Sequence, residues 1–292
     1  MAKKTWLEVA LNGSWTRAHQ PRIPVSVAEI VADGIASVQA GAAIVHLHAY
    51  DEATGRQSDD ADLYTRIIEG IRAKVDAIVY PTIDGHVPAG VEVSITGRKR
   101  YRAVEVLAER GLLEWTVVDP GSVNTSSFVA VKRDTPGSVY LNTDSDVRLG
   151  LALAQGCGAH PSYAIYEPGF VRLGAALAKR YPGLKTPIYR LMFSDGLAFG
   201  FPPRDYALDA YRALLAEHAP DAPWMIAGLM TDLTPLIAET VAHGGHVRAG
   251  LEDVPMGSTR GNAELVEATA IAVMRAGGTL ATAAEIRAAL AP

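Results

Sequence analysis

An eightfold alternation constrains this chain more than any other feature. Short β-rich runs at residues 6–11, 43–48, 77–82, 115–118, 162–166, 188–193, 224–229 and 247–251 are separated by longer amphipathic stretches. Helical periodicity shows at 27–40, 62–73, 102–110, 170–180, 206–218, 235–243 and 262–276, with a short helix after Thr282. Ser26 and Glu29 stand at capping-box spacing, as do Thr282 and Glu285. Thr234-Pro235 reads as an N-cap followed by proline in the first turn. Eight strands that alternate with helices predict a single (β/α)8 TIM barrel over residues 1–292. A doubly wound sheet would want a glycine-rich phosphate turn after its first strand, and Leu11-Asn12-Gly13-Ser14-Trp15 is not one. The stretch 118–142, rich in Gly, Ser, Thr and Asn, reads as a long loop over the barrel mouth.

Composition narrows the partners. About half the 292 residues are hydrophobic, enough for one large core. The net charge of −5 is spread over interspersed acids and bases, with no basic stripe for nucleic acid. A single cysteine, Cys157, excludes an internal disulfide framework and the thiolate zinc patterns. No run approaches the ~20 apolar residues of a membrane span, and the N-terminal residues lack the apolar core of a signal peptide. The expectation is a cytoplasmic protein with neither a nucleic-acid nor a membrane partner.

In such barrels chemistry sits at the C-terminal ends of the strands. The second strand ends Ile44-Val45-His46-Leu47-His48, and residues i and i+2 of a strand face the same way. The eighth ends Arg248-Ala249-Gly250-Leu251-Glu252-Asp253. Both strands flank the first in a closed barrel, so their ends meet. A strand histidine pair or an acidic loop pair is, singly, a common structural feature; their joint position points to a metal. Two imidazoles and one carboxylate form a common catalytic zinc set. His46, His48 and Glu252 are therefore expected as ligands, with Asp253 free for proton transfer. The same set suits iron. Metal-dependent hydrolase barrels use further histidines after strands five and six, where this chain has Ile165-Tyr166-Glu167 and Leu191-Met192-Phe193-Ser194-Asp195. His246 is expected on the barrel interior or its lower rim.

These stretches also carry a resemblance. Gly41-Ala42-Ala43-Ile44-Val45-His46-Leu47-His48, Thr54-Gly55-Arg56 and Gly244-Gly245-His246-Val247 through Glu252-Asp253, with Gln20-Pro21 and Asn262-Ala263-Glu264, resemble the β-keto acid cleavage enzymes over nearly the whole chain. The resemblance implies a TIM barrel with a divalent metal, usually zinc, assembled as a homotetramer. It implies conversion of a β-keto acid and acetyl-CoA into acetoacetate and a new acyl-CoA. It implies Asp253 as base, Arg248 as a substrate-positioning or charge-stabilising group, and Thr82 in place of a supporting serine. Thr116 would be a polar pocket residue. Ser14 or Trp15 stands where a relative with an aminated substrate carries glutamate, Asp119 where relatives have asparagine, and Ala164 where they have an acid. Acetyl-CoA calls for a phosphate site, and Arg98-Lys99-Arg100 before the third helix is the best basic cluster. Two other readings stand beside this one: a CoA-independent C–C lyase on the same barrel, and a non-catalytic small-molecule-binding barrel.

Overall fold

All eight strand runs form parallel strands. They are β1 (Leu7–Ala10), β2 (Ile44–Leu47), β3 (Ile78–Pro81), β4 (Trp115–Val117), β5 (His160–Ile165), β6 (Ile188–Phe193), β7 (Trp224–Gly228) and β8 (His246–Ala249). The computed structural model describes residues 4–83, 86–87 and 100–291. The strands pair in the order β3-β2-β1-β8-β7-β6-β5-β4. The β3 and β4 ends close on each other, with the Tyr80 and Trp115 rings 5.7 Å apart across the seam.

Strand alternation sorts the side chains into two cores. Ile44, Ile78, Tyr80, Trp115, Val117, Ile188 and Met225 fill the barrel. Val45, Leu47, Val79, Leu191, Ile226 and Val247 pack outward under the helices. Burial on both faces explains why these strands read as continuous apolar runs. His246 resolves to the lower rim: its ring stacks on Trp6 at 4.0 Å and its Nδ1 accepts the Trp6 N–H at 3.1 Å.

The helices are α1 (Val27–Gln39), α2 (Ala61–Arg72), α3 (Arg102–Glu109), α4 (Asp144–Cys157), α5 (Pro168–Ala178), α6 (Asp205–His218), α7 (Ile237–Ala242), α8 (Asn262–Arg275) and α9 (Ala283–Ala289). Both expected capping boxes form, Ser26 with Glu29 and Thr282 with Glu285. Three expectations need correction. Helix α4 lacks a clear sequence periodicity because Gly150 and the buried Asp146 interrupt its apolar face. Its capping box uses Asp146 against Thr143, not the usual Glu or Gln. Residues 118–142 are not irregular throughout: Val123–Thr125, Ser138–Tyr140 and His86–Val87 form a small antiparallel sheet, with a short helix at Phe128–Lys132. Thr234 does not cap a helix; it opens a 3-10 turn ahead of α7, and Asp232 Oδ1 accepts its N–H at 2.9 Å. No helix among the described residues is long and apolar enough to cross a membrane.

Candidate metal centre and catalytic cavity

The register of β1 with its neighbours builds the centre. Ala10 pairs with His46 on one side, and Glu8 pairs with Arg248 on the other. Pairing residues share a face, so His46, Glu8 and Arg248 all project into the barrel. His48 follows one step beyond β2 and is held by Asn12, whose Oδ1 accepts the His48 N–H and whose Nδ2 donates to the His48 carbonyl, both at 3.0 Å. A hairpin of Ala49–Asp51 with Arg56–Ser58 then returns Gln57 to the same ring. His48 Nδ1–H donates to Gln57 Oε1 at 2.8 Å, which leaves Nε2 as the lone-pair nitrogen.

Glu252 sits in the turn after β8. Gly250 makes that turn: its φ is +136°, and a side chain there would overlap the Ala10 carbonyl oxygen. Gly13 lets the first loop approach, since a Cβ there would lie 2.7 Å from Glu252 Cγ. Gln20 Nε2 donates to the Leu251 carbonyl at 3.1 Å, and Asn262 Oδ1 accepts the Leu251 N–H at 2.8 Å.

The three ligand atoms lie within 4.8 Å of one another. Glu252 Oε2 is 3.6 Å from His46 Nε2 and 3.6 Å from His48 Nε2. Tetrahedral ligands of a zinc ion lie about 3.4 Å apart, so the spacing fits a shared ion. His48 Nε2 and Glu252 Oε2 are buried without a hydrogen-bond partner, as a pair of ligand atoms should be. Burial holds both imidazoles below their ordinary range, which favours the neutral form that binds metal.

Arg248 sits behind the ligands. It is 1% exposed; its Nε and Nη2 donate to the two Asp253 oxygens at 2.9 and 2.5 Å, and Nη2 reaches Glu252 Oε1 at 3.4 Å. The guanidinium thus holds one Glu252 oxygen while the other faces the imidazoles. Asp253 also accepts the Gly228 N–H at 3.2 Å. Burial pushes its carboxyl above the usual range, against the pull of Arg248. Burial likewise raises Glu8, which accepts the Tyr80 hydroxyl at 2.9 Å and lies 3.7 Å from Arg248 Nη1.

The centre opens into a cavity of ≈ 540 Å³ at the barrel mouth. Ser14, Trp15, Thr82 and Asp119 line it with the three ligands, as do Arg190 and Tyr140. Trp15 Nε1–H donates to the Glu252 carbonyl at 2.9 Å. The small sheet contributes Thr125 and Ser138, so the 118–142 stretch does overlie the mouth. Thr116 is buried but does not line this cavity; its neighbour Val117 does, because the inward positions of β4 are Trp115 and Val117. Arg248 and Asp253 do not line it either. Asp253 is not free, being paired with Arg248. Arg98 and Lys99 lie outside the described residues. Arg100 is buried under the Tyr140 ring and donates to the Leu141 carbonyl, so it presents no solvent-facing charge.

Asn12, Gln57, Glu8 and Arg190 were not singled out by sequence reasoning. For the last two a signal existed: each is a charge inside an apolar strand run, in Trp6-Leu7-Glu8-Val9 and Ile188-Tyr189-Arg190-Leu191. Such a charge on an inward position points at the barrel axis.

A family model described as beta-keto acid cleavage enzyme matches residues 4–291. The 3-oxoadipate:acetyl-CoA acetyltransferase of Cupriavidus necator is 29% identical over 296 residues, covering 99% of this chain and 95% of its own. The 3-keto-5-aminohexanoate cleavage enzyme of Fusobacterium nucleatum is 26% identical over 295 residues, covering 98% and 97%. Among solved structures, ObcA with oxaloacetate superposes with a TM-score of 0.70 at 18% identity, over 92% of this chain and 67% of that one; the likeness is one of fold.

Proposed function

The chain belongs to the β-keto acid cleavage enzyme family, and from that membership we propose that it transfers an acyl group from a β-keto acid to CoA, consuming acetyl-CoA and releasing acetoacetate. The observation that carries the reading is the convergence of His46, His48 and Glu252 at the head of the cavity. We read the metal as zinc from this two-nitrogen, one-oxygen set. A divalent ion there would supply Lewis-acid polarisation of the substrate's keto oxygen.

The chain's own residues supply the rest. Asp253, next to Glu252 in the chain and with its carboxyl raised by burial, is read as the base for C2 of the keto acid; it stands behind the cavity lining in its pair with Arg248, so proton transfer requires that pair to open toward the cavity. The C2 carbanion attacks the acetyl carbonyl and expels CoA. CoA adds to the original ketone, the C2–C3 bond breaks, and the new acyl-CoA leaves. Asp253 returns its proton to C2 of the product acetoacetate. Arg248 holds Asp253 and Glu252 in place through both steps. Thr82 lines the same cavity and is read as the support of the base, in place of a relative's serine. Ser14 and Trp15 border the substrate's side chain. Asp119 is engaged with Tyr140 and Arg190, and Glu252 with Arg248, which disfavours a substrate ammonium group and leaves the Trp15 ring as the place for a quaternary one. Arg98 and Lys99 are read as contacts for the CoA phosphates. Homotetrameric assembly and a cytoplasmic location complete the reading; light scattering tests the assembly.

The decisive assay follows a β-keto acid with and without acetyl-CoA. Acetoacetate and a new acyl-CoA should form in equal amounts only when acetyl-CoA is present. Consumption of the keto acid at the same rate without acetyl-CoA would overturn the transferase reading in favour of a lyase.

A further inference from the structure

Arg190 is a buried cation with more donors than acceptors. It occupies an inward position of β6, beside Ala164 of β5 in the ladder, and lines the cavity that holds His46, His48 and Glu252. At 3% exposure its guanidinium must find its partners away from bulk water. Those partners are few. Nη2 donates to the Ser162 carbonyl at 3.3 Å and lies 3.5 Å from Asp119 Oδ1. Nε is buried with no hydrogen-bond partner among the described residues. A guanidinium has five N–H donors, so most of its capacity is unspent.

Asp119 cannot absorb the surplus. Its Oδ1 accepts the Ala164 N–H at 2.5 Å and its Oδ2 accepts the Tyr140 hydroxyl at 2.7 Å. The other barrel guanidinium, Arg248, pairs with Asp253 and Glu252; its Nη1 also lacks a hydrogen-bond partner among the described residues and faces Glu8 at 3.7 Å, but Arg248 does not line the cavity. Ala164 presents only a methyl group beside Arg190, so the neighbouring position of β5 adds no acceptor.

We propose that Arg190 binds a carboxylate of the keto-acid substrate. The proposal rests on the β-keto acid reading and extends it: the group that selects an acidic substrate stands on β6, not at Arg248. A planar guanidinium with free donors matches a carboxylate's two oxygens, and binding gives Nε the acceptor it lacks within the protein. The carboxylate is the one beside the ketone or the far one of a dicarboxylic acid, and the same chemistry serves both.

The test uses Arg190→Gln, Arg190→Lys and the double variant Arg190→Gln with Asp119→Asn, which removes both charges and strands neither. Each protein, loaded with zinc, is titrated calorimetrically with acetoacetate, with its neutral counterpart acetoacetamide and with 3-oxoadipate. Wild type should favour acids over the amide. The double variant should bind acid about 100-fold more weakly, while its affinity for the amide changes less than about 3-fold. Lysine, which keeps the charge without the fork, should restore part of the loss. Equal loss for both acids places the carboxylate beside the ketone; loss confined to 3-oxoadipate places it at the far end. An unchanged preference for acids over the amide in all three variants overturns the proposal. Wild type that shows the Arg190-dependent preference but transfers no acyl group overturns the reaction alone, and wild type that binds neither acid overturns both.

Discussion

His48 is held at its backbone by both faces of the Asn12 amide and at its ring by Gln57. A ligand so held gives up little freedom when it binds metal, and the Gln57 bond selects the tautomer that presents Nε2. Gln57→Leu should therefore weaken zinc affinity by about 10- to 100-fold, read by competition with a chromogenic chelator; unchanged affinity would remove Gln57 from the metal's support. Asp253→Asn keeps the volume and a hydrogen bond to Arg248 but removes the proposed base. It should lower kcat by about 10²- to 10⁴-fold with bound zinc unaltered, and steady-state rates with matched metal analysis decide it. At this scale the convergence of the three candidate ligands was legible because His46 and His48 sit at strand spacing and Glu252 ends the matching strand. Thr116, expected in the pocket from the family resemblance, takes the outward position of Trp115–Val117, a strand too short for its sequence to reveal which parity faces inward. Asn12 was illegible for another reason. Its partners, Pro24 and His48, are distant in sequence, and no local pattern announces such a bond.

Helix starts and short hairpins decide how well the elements could be read. Helix α1 was legible because Ser26 and Glu29 spell its cap in the usual residues, whereas the same device in α4 uses Asp146 and passed unseen. The Ala49–Asp51 and Arg56–Ser58 strands that carry Gln57 are too short for any periodicity to show. The α1 cap also carries a pH signature. Glu29 Oε2 accepts from Arg17 at 2.7 Å, from the Ser26 N–H at 2.9 Å and from the Val25 N–H at 3.0 Å. Those bonds, Arg17 first, hold its carboxyl at about 2, below the ordinary 4.5. A carboxyl depressed on folding adds stability above its unfolded value, and that stability is lost as pH falls through the folded one. Glu29→Gln should thus lower Tm modestly at pH 6, the site being largely exposed. The gap from wild type should close as pH drops from about 4.5 toward 2. A gap that is constant over that window would show that the ionised cap contributes nothing.

The whole barrel was legible from its rhythm, because strands buried on both faces and amphipathic helices differ in period and length. Its electrostatic balance was not, since it depends on which charges the closed sheet turns inward. Glu8, Asp119, Glu252 and Asp253 face or border the interior against Arg190 and Arg248, and burial depresses the two ligand histidines toward neutrality. With those four carboxylates ionised they outnumber the inward guanidiniums, and the buried Arg100 near Asp119 offsets only part of the excess, so a divalent ion would neutralise the remainder. Burial raises Glu8, Asp119 and Asp253, the direction expected where negative charge is crowded out of water. Metal binding should accordingly act as a stabilising ligand of the fold. At a free zinc concentration of about 100 times Kd the gain is ~2.7 kcal/mol, or roughly 4 °C in Tm for a chain of this size. Glu252→Gln removes a ligand and one of the crowded charges together. That variant should lose the zinc-dependent rise in Tm, and its metal-free form should melt no lower than metal-free wild type, because it removes one of the crowded negative charges while Arg248 keeps its two-point pair with Asp253. Thermal scans of both proteins in chelator and in buffered zinc make the comparison. A zinc-dependent rise that survives Glu252→Gln undiminished would mean that the ion binds elsewhere and that the interior charge is balanced by other means.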